Sequence, residues 1–260
     1  MPIEGIISNP NWGVYPILLK IGNISIDSYS FFVGLGILVG LLFFYFESKK
    51  NNRFSESTFY ILFSALVGGA LGSKLPIWIV NYHQIIASLP DLTPLFSGRT
   101  IVGGFIGGTI AVMLTKKYLG IKEKRGNLFA PGIAIGLAIG RIGFFLRGCC
   151  YGIQTNLPWG VNFGDGILRH PTQIYESIFA LGMFIYLEKA KNKNPAPGQL
   201  LKIFMISYFS FRFLIEFIRV EPVVLFGLTG YQLASLFVFG YYAITSEKVR
   251  TFINLKAFDR

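Results

Sequence analysis

The chain has 260 residues, of which 52% are hydrophobic and 14% are charged, and its formal net charge is +11. An ordinary soluble domain carries about 25% charged residues, so the composition argues against a soluble globular protein and favours a membrane protein. The basic excess follows membrane topology, as shown below, and we therefore expect no nucleic-acid partner.

Seven apolar blocks divide the chain, and each is close to the roughly 20 residues that cross a bilayer. The sequence therefore predicts an all-α, polytopic fold with seven transmembrane helices in a single integral membrane domain over residues 1–260. The predicted spans run from Tyr29 to Phe46, Thr58 to Val80, Ile101 to Tyr118, Leu128 to Leu146, Thr172 to Leu187, Leu200 to Ile218 and Thr229 to Thr245.

Basic residues concentrate on one side of this arrangement. Fifteen of the 24 Lys and Arg residues lie after the first, third, fifth and seventh spans or in the last turn of the third. The positive-inside rule places these segments in the cytoplasm, so we expect the amino terminus outside and the carboxyl terminus in the cytoplasm. The first 27 residues lack a basic start followed by an apolar core, so no cleavable signal peptide is predicted.

Two of the predicted outer loops are longer than the others, residues 81–100 and residues 147–171. The second loop is rich in glycine and contains Pro158. This composition is typical of an ordered irregular loop or a small hairpin rather than a helix. Because functional residues often lie on such loops, we expect this one to contribute to a site.

Glycines cluster at the start of the third span, in Gly103-Gly104-Phe105-Ile106-Gly107-Gly108. Small residues at this spacing permit close helix packing, and Gly132, Gly136 and Gly140 repeat the pattern in the fourth span. The third-span cluster also follows Arg99 and Thr100. A second interpretation is therefore a broken helix whose exposed amides face an anion.

An arginine lies inside the fourth apolar block, at Arg141. A phosphate suits a buried guanidinium, because the two groups form a fork of charge-assisted hydrogen bonds. A structural ion pair between Arg141 and Glu216 is the alternative. Arg147, at the end of the block, can instead extend to the outer interface.

The fifth span opens with Arg169-His170-Pro171-Thr172-Gln173-Ile174-Tyr175-Glu176. A proline before a run of polar residues is typical of a helix start, where free amides favour an anion. A helix cap without chemistry would have the same pattern.

Four polar side chains recur about one turn apart near the end of the sixth span: Tyr208, Arg212, Glu216 and Arg219. At helical spacing they share one stripe. Charge within a bilayer helix costs several kcal/mol unless it is paired or faces a wet cavity. The stripe therefore predicts a polar, anionic ligand inside a membrane protein.

Three of these segments together resemble the bacterial prolipoprotein diacylglyceryl transferase family: Gly140 to Gly152, His170 to Glu176, and Phe211 to Arg219. The resemblance covers nearly the whole chain. It implies transfer of a diacylglyceryl group from phosphatidylglycerol to the thiol of a lipoprotein signal-peptide cysteine. A thioether would form and glycerol phosphate would leave, at the outer leaflet of the bacterial inner membrane.

The resemblance also implies the partners and the site. The expected partners are phosphatidylglycerol, prolipoprotein signal peptides and the lipid bilayer, and neither a cofactor nor a metal is expected. The residues expected to act in catalysis are Arg141, Arg212, His170 and Tyr208. The residues expected to bind substrate are Tyr29, Gly103, Gly104, Gly152, Glu216 and Arg219.

The chain departs from the family pattern at four positions, which marks it as a divergent member. Val102 stands in place of a histidine, Phe144 in place of an asparagine, Cys149 in place of an acidic residue and Lys74 in place of an arginine. Two alternatives follow. One is a phospholipid-dependent transferase with a different acceptor, and the other is a membrane transporter of lipids or anions.

The source of the attacking thiolate is left open by these departures. His170 titrates in the right pH range for a general base. Alternatively, two nearby arginines could lower the pKa of the acceptor thiol without a dedicated base. Cys149 and Cys150, the only cysteines, allow interfacial packing, substrate contact, redox gating or self-acylation.

Overall fold

Helices satisfy every backbone hydrogen bond within one segment, which is what a bilayer demands. A computed structural model describes residues 13–22, 24–51, 55–91, 95 and 100–244, and these are mostly helical. The helices of the described residues are α1 (Ser28–Lys50), α2 (Glu56–Val80), α3 (Tyr82–Ala87), α4 (Ile101–Tyr118), α5 (Gly126–Arg147), α6 (Thr172–Lys191), α7 (Gln199–Ile215) and α8 (Gly230–Ile244).

Each of the seven apolar blocks forms a helix within a few residues of its predicted bounds. Three helices of the described chain, α1, α2 and α5, are long and apolar enough to cross a membrane by length and composition. The short helix α3, within the predicted loop of residues 81–100, was not predicted. A mostly helical membrane protein is thus confirmed, whereas the seven-span count and its orientation stay predictions.

In the part of the chain that the structure describes, three antiparallel hairpins supplement the helices. They pair β1 (Ile17–Ile21) with β2 (Ile24–Asp27), β3 (Val161–Asn162) with β4 (Leu168–Arg169), and β5 (Val223–Leu225) with β6 (Leu228–Thr229). The hairpin of β3 and β4 lies in the glycine-rich loop after α5, where the composition favoured an irregular loop or a small hairpin. The other two hairpins carry no sequence signal that we identified.

The helices fall into two compact units. The first comprises residues 1–47 and 124–260, and the second comprises residues 48–123. In the second unit α2 packs along α4 through glycines on both helices. A Cβ built on Gly72 would lie 2.7 Å from the Cα of Gly107 and closer still to the carbonyl oxygen of Gly103. Only glycine permits this backbone approach.

The first unit is organised around α5. Helix α1 contacts α5 through glycines, since a Cβ on Gly40 would lie 2.8 Å from the carbonyl oxygen of Gly132. Helix α6 is tied to α5 because the Ser177 hydroxyl donates to the Ala138 carbonyl oxygen at 2.7 Å. Helix α6 also packs on α7, where Phe179 stacks on Phe211 with ring centroids 4.3 Å apart. These contacts turn the polar residues of α5, α6 and α7 toward one another.

Candidate active site

Glu176 joins the three central helices of the first unit. Its side chain is completely buried, and its Oε1 lies 2.6 Å from Nη2 of Arg141 on α5. The same oxygen accepts a hydrogen bond of 2.7 Å from the Tyr208 hydroxyl on α7. Its Oε2 lies 3.5 Å from Nη1 of Arg212, also on α7. One carboxylate therefore holds two arginines and a tyrosine in fixed positions.

A second set of ion pairs continues from Arg212 toward the end of α7. Nη2 of Arg212 lies 2.9 Å from Oε2 of Glu216, an i,i+4 pair within the predicted stripe. Oε2 of Glu216 is also 3.6 Å from Nε of Arg219. Nη2 of Arg219 donates to Oε1 of Glu221 at 2.5 Å. The stripe of Tyr208, Arg212, Glu216 and Arg219 thus forms one buried network.

The helix ends inside this network. Helix α7 stops at Ile215, a 3₁₀ turn covers Glu216–Ile218, and Arg219 has extended backbone geometry. The Tyr231 ring at the start of α8 lies under both arginines, with its centroid 4.5 Å from Cζ of Arg212 and 6.0 Å from Cζ of Arg219. Such cation–π contacts stabilise desolvated guanidinium groups.

Some guanidinium donors of the network have no hydrogen-bond partner. Within the described part of the chain, Nε of Arg141 and Nη1 of Arg219 are buried and lack an acceptor. A buried N–H without a partner is unfavourable by about 1 to 3 kcal/mol, and more for a charged group. Such donors suit an anionic ligand that brings its own acceptors, for which a phosphate is the best geometric match.

The pair predicted for Arg141 was wrong in its partner. The alternative interpretation paired Arg141 with Glu216, whereas the structure pairs Arg141 with Glu176 across α5 and α6. Glu176 was not predicted as a site residue. The signal that could have found it is its position as an acidic residue within the fifth apolar block, because intramembrane carboxylates are rare and usually paired.

Gly152 lies where three segments meet. Its amide donates to the His170 carbonyl oxygen at 2.9 Å, and the Ile153 amide donates to the Ile218 carbonyl oxygen at 2.8 Å. A Cβ at Gly152 would lie 2.8 Å from Cβ of His170 and closer to the Ile218 carbonyl oxygen. Gly152 therefore lets the loop after α5 run between the start of α6 and the end of α7.

Side chains at the start of α6 also hold the backbone of the two cysteines in place. The Thr172 hydroxyl donates to the Cys150 carbonyl oxygen at 2.8 Å, and the Gln173 amide group donates to the Cys149 carbonyl oxygen. Cys150 has a φ of 68°, a left-handed conformation that is uncommon outside glycine. The side chains that open α6 hold both carbonyl groups and so fix this backbone.

His170 points to a different set of partners. Its Nδ1 lies 3.1 Å from the Tyr175 hydroxyl oxygen, which accepts a hydrogen bond of 2.8 Å from Nε1 of Trp159. The side-chain contacts of His170 within the described residues are thus with Tyr175 rather than with the arginines. Its predicted role as a general base stays a prediction.

Tyr29 reaches the site through Phe144. The two rings meet edge to face with centroids 4.8 Å apart, and Cζ of Arg141 lies 4.8 Å from the Phe144 centroid. Arg147 lies over the other ring, with Cζ 5.0 Å from the Tyr29 centroid. The Phe144 ring therefore packs between Arg141 and Tyr29.

Gly103 and Gly104 belong to the second unit. Helix α4 is continuous from Ile101, so the second interpretation of the glycine cluster, a broken helix, was wrong. A Cβ on Gly103 would meet the Gly72 carbonyl oxygen and the Thr100 hydroxyl, which agrees with the packing interpretation. Their role in substrate binding stays a prediction, and Arg99 lies outside the described residues.

Comparisons with known proteins converge on one family. The family profile described as prolipoprotein diacylglyceryl transferase matches residues 16–246. A phosphatidylglycerol–prolipoprotein diacylglyceryl transferase of Clostridium tetani is 36% identical over 214 residues, which are 80% of this chain and 86% of that protein. A second such enzyme, from Clostridium perfringens, is 31% identical over an alignment that spans 85% of this chain and 90% of that protein. A third, from Bordetella bronchiseptica, is 33% identical over 82% of this chain and 85% of that protein.

Proposed function

The chain belongs to the prolipoprotein diacylglyceryl transferase family, and we propose from this that it transfers the diacylglyceryl group of phosphatidylglycerol to a prolipoprotein cysteine. The acceptor thiol attacks the glycerol carbon that bears the phosphate, a thioether forms, and glycerol phosphate leaves. The observation that carries the proposal is the buried network of Arg141, Arg212 and Arg219 with its unsatisfied guanidinium donors.

The arginines act on the leaving group. As the carbon–oxygen bond breaks, the phosphate gains a full negative charge, and donors already fixed around it stabilise that charge without reorganisation. Glu176 and Glu216 hold the guanidinium planes in place before the lipid binds. Arg141 and Arg212 are therefore the residues expected to touch the phosphate, and Tyr208 fixes the Glu176 carboxylate between them.

The proposed orientation places this network near the outer leaflet. The polar residues come from the end of α5, the start of α6 and the end of α7, which are the ends that the charge distribution assigns to the outside. We propose a seven-span protein of the bacterial inner membrane with its amino terminus outside. A reporter fused after Arg260 should be cytoplasmic and a tag near Pro10 extracytoplasmic, and the reverse pattern would contradict the model.

The departures of this chain from the family pattern bear on the identity of the acceptor. Val102 and Phe144 replace polar residues of the family pattern, and Phe144 packs directly beside Arg141. A phospholipid-dependent transferase with a different acceptor is therefore the second candidate function. Lipid transfer to a lipobox peptide supports the prolipoprotein as acceptor. Release of glycerol phosphate from phosphatidylglycerol without modification of the peptide supports a different acceptor.

The decisive experiment is a transfer assay in nanodiscs with labelled phosphatidylglycerol and a lipobox peptide. Arg141→Ala and Arg212→Ala should each lower the rate roughly 30- to 1000-fold, because a charged contact worth about 2 to 4 kcal/mol is lost. Lysine at either position should restore little, since it lacks the bidentate fork.

Arg169 provides a matched control for these variants. Its guanidinium pairs with Asp165 in the β3–β4 hairpin, outside the buried network. Arg169→Ala should transfer lipid at close to the wild-type rate. Full activity in both Arg141→Ala and Arg212→Ala would contradict the proposed site.

A further inference from the structure

Gln173 is a buried polar side chain to which the reaction described above gives no task. It lies in the first turn of α6, and its side chain is completely buried. Its amide group donates to the Cys149 carbonyl oxygen, which fixes the orientation of the amide, because only the amide nitrogen can donate to a carbonyl. The other atom of the amide is therefore the oxygen, Oε1, which can only accept.

Oε1 of Gln173 is a buried acceptor without a donor. No hydrogen bond reaches it from any residue that the structure describes. Gln232 on α8 has the usual arrangement, since its Oε1 accepts from the Thr229 amide at 3.0 Å and its Nε2 donates to the Phe213 carbonyl oxygen at 3.5 Å. Buried side-chain oxygens are normally paired in this way, because the hydrogen bonds lost with water must be replaced. The unpaired oxygen of Gln173 indicates a ligand that supplies the donor.

The surroundings of Gln173 relate this oxygen to the arginine network. Gln173 precedes Glu176 by three residues, so the two side chains are neighbours on α6, and Glu176 binds Arg141 at 2.6 Å. The loop that Gln173 holds continues to Gly152, which forms a β-bridge with Arg219. Arg141 and Arg219 each have a buried donor that lacks an acceptor in the described part of the chain. Unpaired donors and an unpaired acceptor thus belong to one connected set of residues.

A ligand that satisfies this set must carry both kinds of group. A phosphate supplies acceptors to the guanidinium groups, and a neighbouring hydroxyl group supplies a donor to a neutral amide oxygen. A lipid ammonium group suits this position poorly, because Gln173 has no negative charge and the carboxylates of Glu176 and Glu216 already pair with arginines. The glycerol headgroup of phosphatidylglycerol carries hydroxyl groups just beyond its phosphate ester, and so has the required combination.

We propose that Gln173 determines lipid specificity, with Oε1 accepting a hydrogen bond from a hydroxyl group of the glycerol headgroup. The inference rests on the proposed function and names the contact that distinguishes phosphatidylglycerol from anionic phospholipids without a headgroup hydroxyl. The headgroup glycerol departs together with the phosphate. Gln173 therefore selects the lipid and orients its leaving group, while the arginines stabilise the charge that forms on the phosphate.

Phosphatidylethanol is the probe for this contact, because its phosphodiester has the same charge but its headgroup has no hydroxyl. In phosphatidylcholine nanodiscs that contain one lipid or the other, the wild-type chain should use phosphatidylglycerol with a kcat/KM roughly 10-fold higher, as expected for one hydrogen bond to a buried acceptor. Equal kcat/KM values for the two lipids in the wild type would overturn the proposal.

Gln173→Met removes the oxygen while keeping an unbranched side chain of similar length. The variant also loses the hydrogen bond to Cys149, but any resulting change in the loop acts on both lipids. The ratio of the two kcat/KM values is therefore the readout, and the preference for phosphatidylglycerol should disappear. A purely structural role of Gln173 would instead lower both values and leave the wild-type preference intact.

Thr172→Val is the matched control. The Thr172 hydroxyl donates to the Cys150 carbonyl oxygen at 2.8 Å in the same loop, so this variant weakens the attachment of the loop and retains the amide of Gln173. Its preference for phosphatidylglycerol should persist. Loss of the preference in both variants would show that the loop selects the lipid, and the assignment to Gln173 would be wrong.

The acceptor thiol is the other donor that the reaction brings to this site, although a thiol is a weak hydrogen-bond donor. The two sources of the donor affect different kinetic constants. A contact with the thiol would raise the KM for the lipobox peptide in Gln173→Met and leave the lipid preference unchanged. That result would overturn the headgroup assignment.

Native mass spectrometry of lipid binding measures the same preference without the transfer reaction. From an equimolar mixture, the wild-type chain should retain more phosphatidylglycerol than phosphatidylethanol, and Gln173→Met should retain the two equally. A wild-type chain that shows this preference but transfers no lipid to the peptide would contradict the proposed function and leave the headgroup contact supported. A wild-type chain that transfers lipid but shows no preference would overturn the role of Gln173 alone.

Discussion

Two regions of this protein have similar apolar sequences but are held together by different forces. In the first unit, α5, α6 and α7 meet through Arg141, Glu176, Tyr208 and Arg212, which are all buried. In the second unit, α2 and α4 meet through glycines, with backbone atoms in direct contact. Charge and hydrogen bonds add to apolar packing in the first set of helices, whereas close backbone contact joins the second.

This difference indicates which helix contacts serve packing and which serve chemistry. Glycine contacts bring helices together with no desolvation of charge, so they suffice when only association is needed. A buried ion network must offset the desolvation of every charge, and well-packed apolar side chains are often as stable or more stable. The first unit therefore retains its charges for a reason other than stability, which the proposed lipid chemistry supplies.

The largest effect on stability should come from Glu176. Glu176→Ala would leave Arg141 and Arg212 buried without their shared carboxylate and Tyr208 without its acceptor. Removing one partner of a buried ion pair typically costs about 3 to 5 kcal/mol. Unfolding in mixed micelles, followed by circular dichroism, should show a loss of this size together with loss of transfer.

A double variant sharpens this prediction. Arg141→Met combined with Glu176→Leu removes both charges and fills the same space with apolar atoms. It should recover the part of the stability loss that comes from the stranded Arg141, since Arg212 keeps its pair with Glu216, but none of the transfer activity. If the double variant regained transfer, the network would be structural and the comparison between the two units would fail.

The elements themselves were largely predictable from the sequence. Apolar length fixed the seven helices to within a few residues, because the bilayer demands that length. Helical spacing likewise placed Arg212 and Glu216 on one stripe, where the structure pairs them across one turn. Both signals are local, since each depends on residues close together in the chain.

Contacts between segments distant in sequence were harder to predict. The spacing of Arg141 and Glu176 carries no information on their pairing, which depends on how α5 packs against α6. The three-segment junction at Gly152 and the fixed loop at Cys150 arise in the same way. Residue types indicated an anion site, but only the packing of helices identified its central carboxylate.

An intermediate effect is expected in the second unit, at Gly72. Gly72→Ala would place a methyl group against Gly107 and the Gly103 carbonyl oxygen, which are backbone atoms that cannot move aside. Overpacking of this kind costs about 1 to 3 kcal/mol. The midpoint of thermal unfolding in detergent should fall. An unchanged midpoint would show that α2 and α4 are not held by close backbone contact.

The smallest effect on stability should come from Gly104→Ala, one residue beyond the closest contact. Its Cβ would lie 3.4 Å from the Gly69 carbonyl oxygen and 3.6 Å from Cβ of Ser73, which are ordinary contact distances. The unfolding midpoint should therefore stay close to that of the wild type.

This tolerance makes Gly104, unlike Gly103, a clean test of the predicted substrate-binding role, because any loss of transfer would not reflect misfolding. If Gly104 binds substrate, the KM for phosphatidylglycerol should rise while the unfolding midpoint is unchanged. If both quantities match the wild type, the glycines of α4 serve packing alone, and the chemistry belongs to the charged residues of the first unit.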